Sequence, residues 1–275
     1  MNLLQTNYGM NCRPEIEGVT EMFKNGLVSI SFRKFSPEKI VQMCAKAGLD
    51  GIEWGGDVHV PHGDLRTAAT VRKITADAGL HVAAYGSYYR AGVSEQAGLA
   101  FEDVLASAVE LKTPTIRVWA GGQGSPEAGE AGRIGVIDDL RRIDAMARKA
   151  NISVSLEFHG GTLTDTNAST VRLMDELSGT NICFYWQPPV NQPFEYCRDG
   201  LSAVLPRLTN IHAFHWMNTE RRPLAEGIPN WKKYLETAAA DGRDHYVMLE
   251  FVLEDSETQF YADAAILKEL TEPYD

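Results

Sequence analysis

Apolar and polar residues alternate along the chain in short β-rich runs. Between these runs lie longer stretches whose apolar residues recur every three to four positions, the spacing of a helix with one greasy face. The runs are VSISF (28–32), GIEWG (51–55), VAAYGSYY (82–89), TIRVWAG (115–121), ISVSLEFH (152–159), ICFYWQ (182–187), IHAFHW (211–216) and YVMLEFV (246–252). Helical spacing appears in SPEKIVQMCAKAG (36–48), LRTAATVRKITADAG (65–79) and IGVIDDLRRIDAMARKAN (134–151). It recurs in STVRLMDELSG (169–179), WKKYLETAAADG (231–242) and ETQFYADAAILKEL (257–270). Several stretches open near Ser, Asn or Asp and several end in Gly, the residues that start and stop helices. Repeated strand–helix units require parallel strands. Eight of them in about 250 residues predict an α/β fold, a single (β/α)8 barrel over residues 27–275. Residues 1–26 precede the first run and are expected to form an N-terminal arm or a cap over one barrel end. The competing open, doubly wound sheet lacks its glycine-rich phosphate fingerprint after the first run.

Composition narrows the picture. A hydrophobic fraction of 44% beside 23% charged residues suits a soluble globular chain with a sizeable core. The formal charge of −11 disfavours a nucleic-acid partner, which would select a clustered basic face. No apolar run reaches membrane-spanning length, and the N-terminus lacks a basic region followed by a hydrophobic one. A cytoplasmic protein without a membrane partner is therefore expected. The four cysteines form no CxxC pair, so a structural zinc site is not indicated.

In a barrel, alternate residues of each strand face the lumen. With the apolar set turned toward the helices, the polar set left near the C-terminal strand ends is Ser29, Ser31 and Arg33, then Glu53, then Tyr85 and Ser87. The later strands add Arg117 and Trp119, Glu157 and His159, Tyr185 and Gln187, His215, and Glu250. Active sites of this fold occupy that rim. A satisfied polar layer, with Arg117 pairing Glu53 or Glu157, accounts for any one of these residues. It accounts poorly for the whole set, because every buried acid costs desolvation. The same parity puts Trp119 in the lumen and Trp54, Trp186 and Trp216 against the helices, as core. His59 and His62, in DVHVPHGD after the second run, are positioned to reach in from a loop, with ordinary loop hydrogen bonding as the equal alternative. Arg221, just past the seventh run, is a candidate to hold a substrate hydroxyl, carboxylate or phosphate.

Four segments resemble one known group: GIEWGGDVHVPHGD (51–64), LEFHGGT (156–162), HAFHW (212–216) with Arg221 six residues beyond His215, and MLEF (248–251). Together they look like the xylose-isomerase-like TIM barrel superfamily of sugar phosphate isomerases and epimerases. That group also contains inosose dehydratases and endonuclease IV-type DNA-repair enzymes, and the resemblance runs from Leu27 onward. It implies one divalent metal ion (Mn²⁺, Mg²⁺ or Zn²⁺) held by Glu157, Gln187, His215 and Glu250. Two departures stand out. Gln187 replaces the usual Asp and is followed by Pro188, Pro189 and Val190 rather than by a His three residues on, and Leu163 replaces a second Glu. A neutral amide is a poorer ligand than a carboxylate, so a weakly held ion is expected.

The resemblance also implies the chemistry. A cation across a carbonyl and its neighbouring hydroxyl stabilises an enediolate, while carboxylates on opposite faces remove and return a proton. On this reading Glu157, Glu250 and His159 are catalytic, and Glu53, His59, His62, Tyr85, Trp119 and Arg221 bind substrate. The expected activity is a sugar or polyol isomerase or epimerase. A lyase or dehydratase acting on a keto-sugar or inosose stands next, since both share the first step. An endonuclease IV-type enzyme or a non-catalytic sugar-binding barrel ranks behind. The expected partner is a small-molecule sugar or polyol, with assembly into a homo-oligomer allowed.

Overall fold

The computed structural model describes residues 22–274. The first three strands are β1 (Phe23–Val28), β2 (Gly51–Gly55) and β3 (His81–Arg90), followed by β4 (Thr115–Trp119) and β5 (Ser153–Leu156). β6 (Ile182–Trp186) and β7 (Leu208–Ala213) precede a small antiparallel hairpin of β8 (His215–Met217) and β9 (Glu220–Arg222), and β10 (His245–Leu249) comes last. All but the hairpin strands pair in parallel and close into a barrel in the order β1-β10-β7-β6-β5-β4-β3-β2. The predicted (β/α)8 architecture is thus observed. Around it lie α1 (Pro37–Ala47), α2 (Leu65–Asp77), α3 (Phe101–Leu111), α4 (Gly129–Lys149), α5 (Asn167–Glu176), α6 (Phe194–Val204), α7 (Ile228–Ala239) and α8 (Glu257–Thr271). The cap residues act locally: Ser36, Asp64 and Ser256 accept backbone N–H bonds from Lys39, Thr67 and Gln259, and Gly48 ends α1 at φ 67°. None of these helices is long and apolar enough to cross a membrane.

The first strand differs from expectation. It covers Phe23–Val28 rather than 28–32, so residues 23–26 belong to the barrel; residues 1–21 of the expected arm lie outside the described residues. Two glycine-related effects concealed this strand. Gly26 breaks the apolar pattern because a Cβ there would stand 2.7 Å from Met248 Cγ and 3.0 Å from the Gly51 carbonyl, at a close approach of strands. The apparent strand Ser29–Phe32 instead curls into a 3-10 turn, where the Ser29 hydroxyl accepts from the Gly55 N–H.

Outside the barrel, Trp54 and Trp186 are fully buried among the helices, as their parity predicts. Trp216 is only half-buried and packs edge-on against Phe251. Val28, Ala83, Ala84, Tyr185, Tyr246 and Met248 form a second buried apolar cluster, with Tyr185 edge-on against His212. The hydroxyls of Thr115, Ser155 and Thr209 bond one another.

Candidate active site

Five buried side chains meet at the upper end of the lumen. Glu53 comes from β2, Arg117 from β4 and His212 from β7, while Glu157 and Glu250 stand one residue beyond β5 and β10. Arg117 joins the carboxylates: its Nε donates to Glu53 Oε1 at 2.6 Å and its Nη1 to Glu157 Oε2. The indole N–H of Trp119 donates to the same Glu157 oxygen at 2.5 Å. Burial works against charge on Glu157, but Arg117 and His212 outweigh it and hold the carboxyl below the usual carboxylate range. Glu53 is likewise depressed, because Arg117 and His212 overcome its burial. For His212 burial favours the neutral form, yet Glu250 and Glu53 push its imidazole well above the ordinary value. A glycine makes the network possible. A Cβ on Gly86 would lie 2.7 Å from Arg117 Nη2 and 2.8 Å from Glu53 Oε1.

His212 organises the upper side. Its Nε2 lies 3.3 Å from Glu53 Oε2, which leaves Nδ1 facing three oxygens. These are Gln187 Oε1 at 3.1 Å, Glu250 Oε2 at 3.3 Å and Glu157 Oε1 at 3.5 Å. Glu157, His212 and Glu250 offer ligand atoms all within 4.8 Å of one another. Donor atoms around an ion with bonds of about 2.1 Å stand roughly 3.0–3.4 Å apart, close to the 3.3 and 3.5 Å that separate His212 Nδ1 from Glu250 and Glu157. The carboxylate oxygen Glu250 Oε2 is also buried, and although it faces His212 Nδ1 at 3.3 Å it has no hydrogen bond of good geometry. A buried anionic oxygen left in that state is costly, and a cation would satisfy it. The donor set therefore fits a metal, with Glu53 orienting the imidazole from behind.

His215, expected as the strand-7 ligand, is not part of this group. β7 ends at Ala213, and the chain turns away into the β8–β9 hairpin, where His215 pairs with Arg222. Its ring packs over Gly227, whose added Cβ would be 2.8 Å from His215 Nδ1, and it borders a separate small cavity with Pro188, Trp231 and Tyr234. His212 takes the place expected of it. A sequence signal existed: Ile211 and Ala213 are the apolar, helix-facing residues, which makes Asn210 and His212 the lumen-facing ones.

A cavity of about 510 Å³ opens above the charged cluster, lined by Glu157, Glu250, Trp119, His159, Tyr88 and the rim cations Arg33, Lys34 and Arg221, among others. His159 packs against Trp119 with ring centroids 4.3 Å apart and planes tilted by 32°, and its Nδ1 is 2.7 Å from the Gly160 carbonyl. A carbonyl only accepts, so Nδ1 carries a proton, and in the neutral ring the lone pair is on Nε2. Trp119, His159 and Arg221 thus line the cavity.

The other expected substrate contacts do not. Glu53 is sealed beneath Arg117 with 0% exposure. His59 is buried and bonded to the Ser29 hydroxyl at 2.9 Å, and His62 donates to the Ser87 carbonyl at 2.6 Å. Both histidines support loops, the alternative weighed for them. Tyr85 faces away from the lumen and donates its hydroxyl to the Val60 carbonyl at 2.8 Å. The β3 register shifts between Gly86 and Arg90, and Tyr88, at φ 57°, is the β3 tyrosine that lines the cavity. Neither Tyr88 nor Lys34 was legible from alternation, because a bulge and a non-strand turn carry them.

The Gly86 contact gives a first test. Gly86→Ala should push Arg117 off Glu53 and disturb the orientation of Glu157. Losses of about tenfold or more in Mn²⁺ affinity are expected, the scale of supporting-residue changes at metal sites. Calorimetric titration of chelator-stripped protein measures this; unchanged affinity would mean that the network does not govern the donor set.

Comparison with known proteins agrees with this geometry. A family model described as xylose isomerase-like TIM barrel matches residues 41–270. A 3-dehydroshikimate dehydratase of Bacillus anthracis is 27% identical over 280 residues, covering 89% of this chain and 96% of that protein. The crystal structure of a probable 3-DHS dehydratase from the same organism superposes with a TM-score of 0.74 at 23% identity, covering 89% of this chain and 98% of that one. A D-psicose 3-epimerase determined in the presence of D-fructose gives a TM-score of 0.65 at 18% identity, covering 90% and 99% of the two chains. With most of its length matched by the family model, and a closed parallel barrel carrying its acids at the C-terminal rim, this chain belongs to the xylose isomerase-like TIM barrel family.

Proposed function

We propose that this protein is a dehydratase acting on a carboxylate-bearing hydroxy ketone of the 3-dehydroshikimate type. The observation that carries this reading is Lys34. It lines the cavity mouth, as Glu254 does, and neither has an ion-pair partner among the described residues, whereas Arg33 and Arg221 are paired with Asp57 and Asp255. An unpaired ammonium at the entrance suits an anionic keto acid better than an uncharged ketose. The similarity to a 3-dehydroshikimate dehydratase points the same way. Elimination, second in order when the sequence is read alone, thus moves ahead of isomerisation.

Glu157, Gln187, His212 and Glu250 would hold the divalent ion, which supplies stabilisation of the negative charge that develops on the ketone oxygen. The remaining chemistry belongs to the side chains. Glu157 has one oxygen committed to Arg117 and Trp119 and is held strongly acidic, so it is a poor base. His159 is better placed for that role, with a free Nε2 and a ring fixed against Trp119. It takes the proton from the carbon beside the ketone and returns it to the departing β-hydroxyl. The C–H and C–O bonds break, a C=C bond forms and water leaves, with no oxidant or reductant required.

Mn²⁺-loaded protein mixed with 3-dehydroshikimate should generate the ultraviolet absorbance of 3,4-dihydroxybenzoate. Lys34→Ala should raise KM severalfold and leave kcat nearly unchanged, the scale expected for one exposed charge. The same protein with ketohexoses in D₂O should show no deuterium uptake. Uptake into a ketohexose without dehydration of the keto acid would overturn the proposal in favour of the epimerase reading.

A further inference from the structure

We propose that Gln187 is a specificity-determining residue: by presenting an uncharged oxygen to His212, beside Glu157 and Glu250, it keeps the charged cluster under the cavity electrically balanced and so leaves the cavity receptive to an anionic substrate. This rests on the reading of the cavity as a keto-acid site. The orientation of the amide is fixed by its surroundings. Gln187 Nε2 donates to the Phe158 carbonyl at 2.9 Å, which turns Oε1 toward His212 Nδ1 at 3.1 Å. The reverse orientation would set two acceptors against each other.

The charge count follows from the contacts. Arg117 and Glu53 offset one another within the buried cluster. Glu157 and Glu250 then contribute two negative charges to the donor set, and Gln187 and a metal-binding neutral imidazole contribute none. A divalent ion brings that set to zero. An Asp at 187 would leave it one unit negative beside Glu157 and Glu250, the two acids of that set that line the cavity. That extra charge would tighten the metal and repel a carboxylate. The cost to an anionic ligand several ångströms away in a partly buried site is about tenfold in affinity. The substitution that weakens the metal site would thereby favour one class of substrate.

The test uses Asn and Asp at position 187, which share a shape and differ in charge. Mn²⁺ affinity is measured first by calorimetry on chelator-stripped protein without organic ligand. Binding of 3,4-dihydroxybenzoate and of its neutral isostere 3,4-dihydroxybenzamide is then measured on the Mn²⁺-loaded proteins. The parent should prefer the anion about tenfold or more, and Gln187→Asn should keep that preference. Gln187→Asp should bind Mn²⁺ more tightly and lose the preference for the anion. Equal preference in the Asn and Asp variants would overturn the proposal, as would a parent with no preference. Turnover of 3-dehydroshikimate is scored separately. If it occurs while the preference ignores charge at 187, this inference fails alone. If it is absent while the preference responds as stated, the reaction assignment fails and the role of Gln187 stands.

Discussion

His212→Ala should lower Mn²⁺ affinity by about a hundredfold or more, while His215→Ala should leave it within about twofold. The two histidines lie three residues apart in IHAFHW and differ completely in setting. His212 has 0% exposure, with Glu53 on one ring nitrogen and the oxygens of Gln187, Glu250 and Glu157 around the other. Its removal deletes a donor and leaves two carboxylates facing each other across the gap. His215 is half-buried outside the barrel, over Gly227. Calorimetry with Mn²⁺, alongside circular dichroism to confirm folding, separates the two. Loss of metal affinity in His215→Ala with retention in His212→Ala would refute the site described here.

Replacement of Arg117 should have the largest effect on stability. Arg117→Met keeps most of the side-chain volume and removes the charge between Glu53 and Glu157, all three groups being at most 3% exposed. Removing one partner of a buried pair costs about 3–5 kcal/mol, mainly because the remaining charge is stranded. Here two carboxylates are stranded, with His212 and, for Glu157, the Trp119 N–H still offsetting them in part, so the upper end of that range is expected. The double variant Arg117→Met/Glu53→Gln removes one of the stranded charges and should recover a substantial part of the loss. Urea unfolding of the metal-free proteins measures both. A single variant within about 1 kcal/mol of the parent would show that water or backbone movement relieves the carboxylates, and the buried network would then have little energetic weight.

How much of this was legible in the sequence depends on the distance over which the relevant forces act. The alternation of strand and helix periods is local, and eight repeats of it leave few closed arrangements other than a parallel barrel. Glu157 and Glu250 were equally legible, because each follows directly on an apolar strand whose parity it continues. Trp119 and His159 followed for the same reason, as did the burial of Trp54 and Trp186. The errors fall where the chain leaves the sheet. Parity counted through Phe214 selected His215, but β7 had already ended at Ala213, and the β8–β9 pairing set the next residues by a different register. Parity through β3 selected Tyr85, but the register shift beyond Gly86 gave the cavity Tyr88 instead. Side-chain direction is encoded residue by residue only while a strand stays paired in register. Where a strand ends or bulges is decided by hydrogen bonding to neighbours distant in sequence and by the space they leave. The charge balance among Glu53, Arg117, Glu157, His212 and Glu250 likewise exists only once five strands, from β2 to β10, bring those groups within a few ångströms of one another.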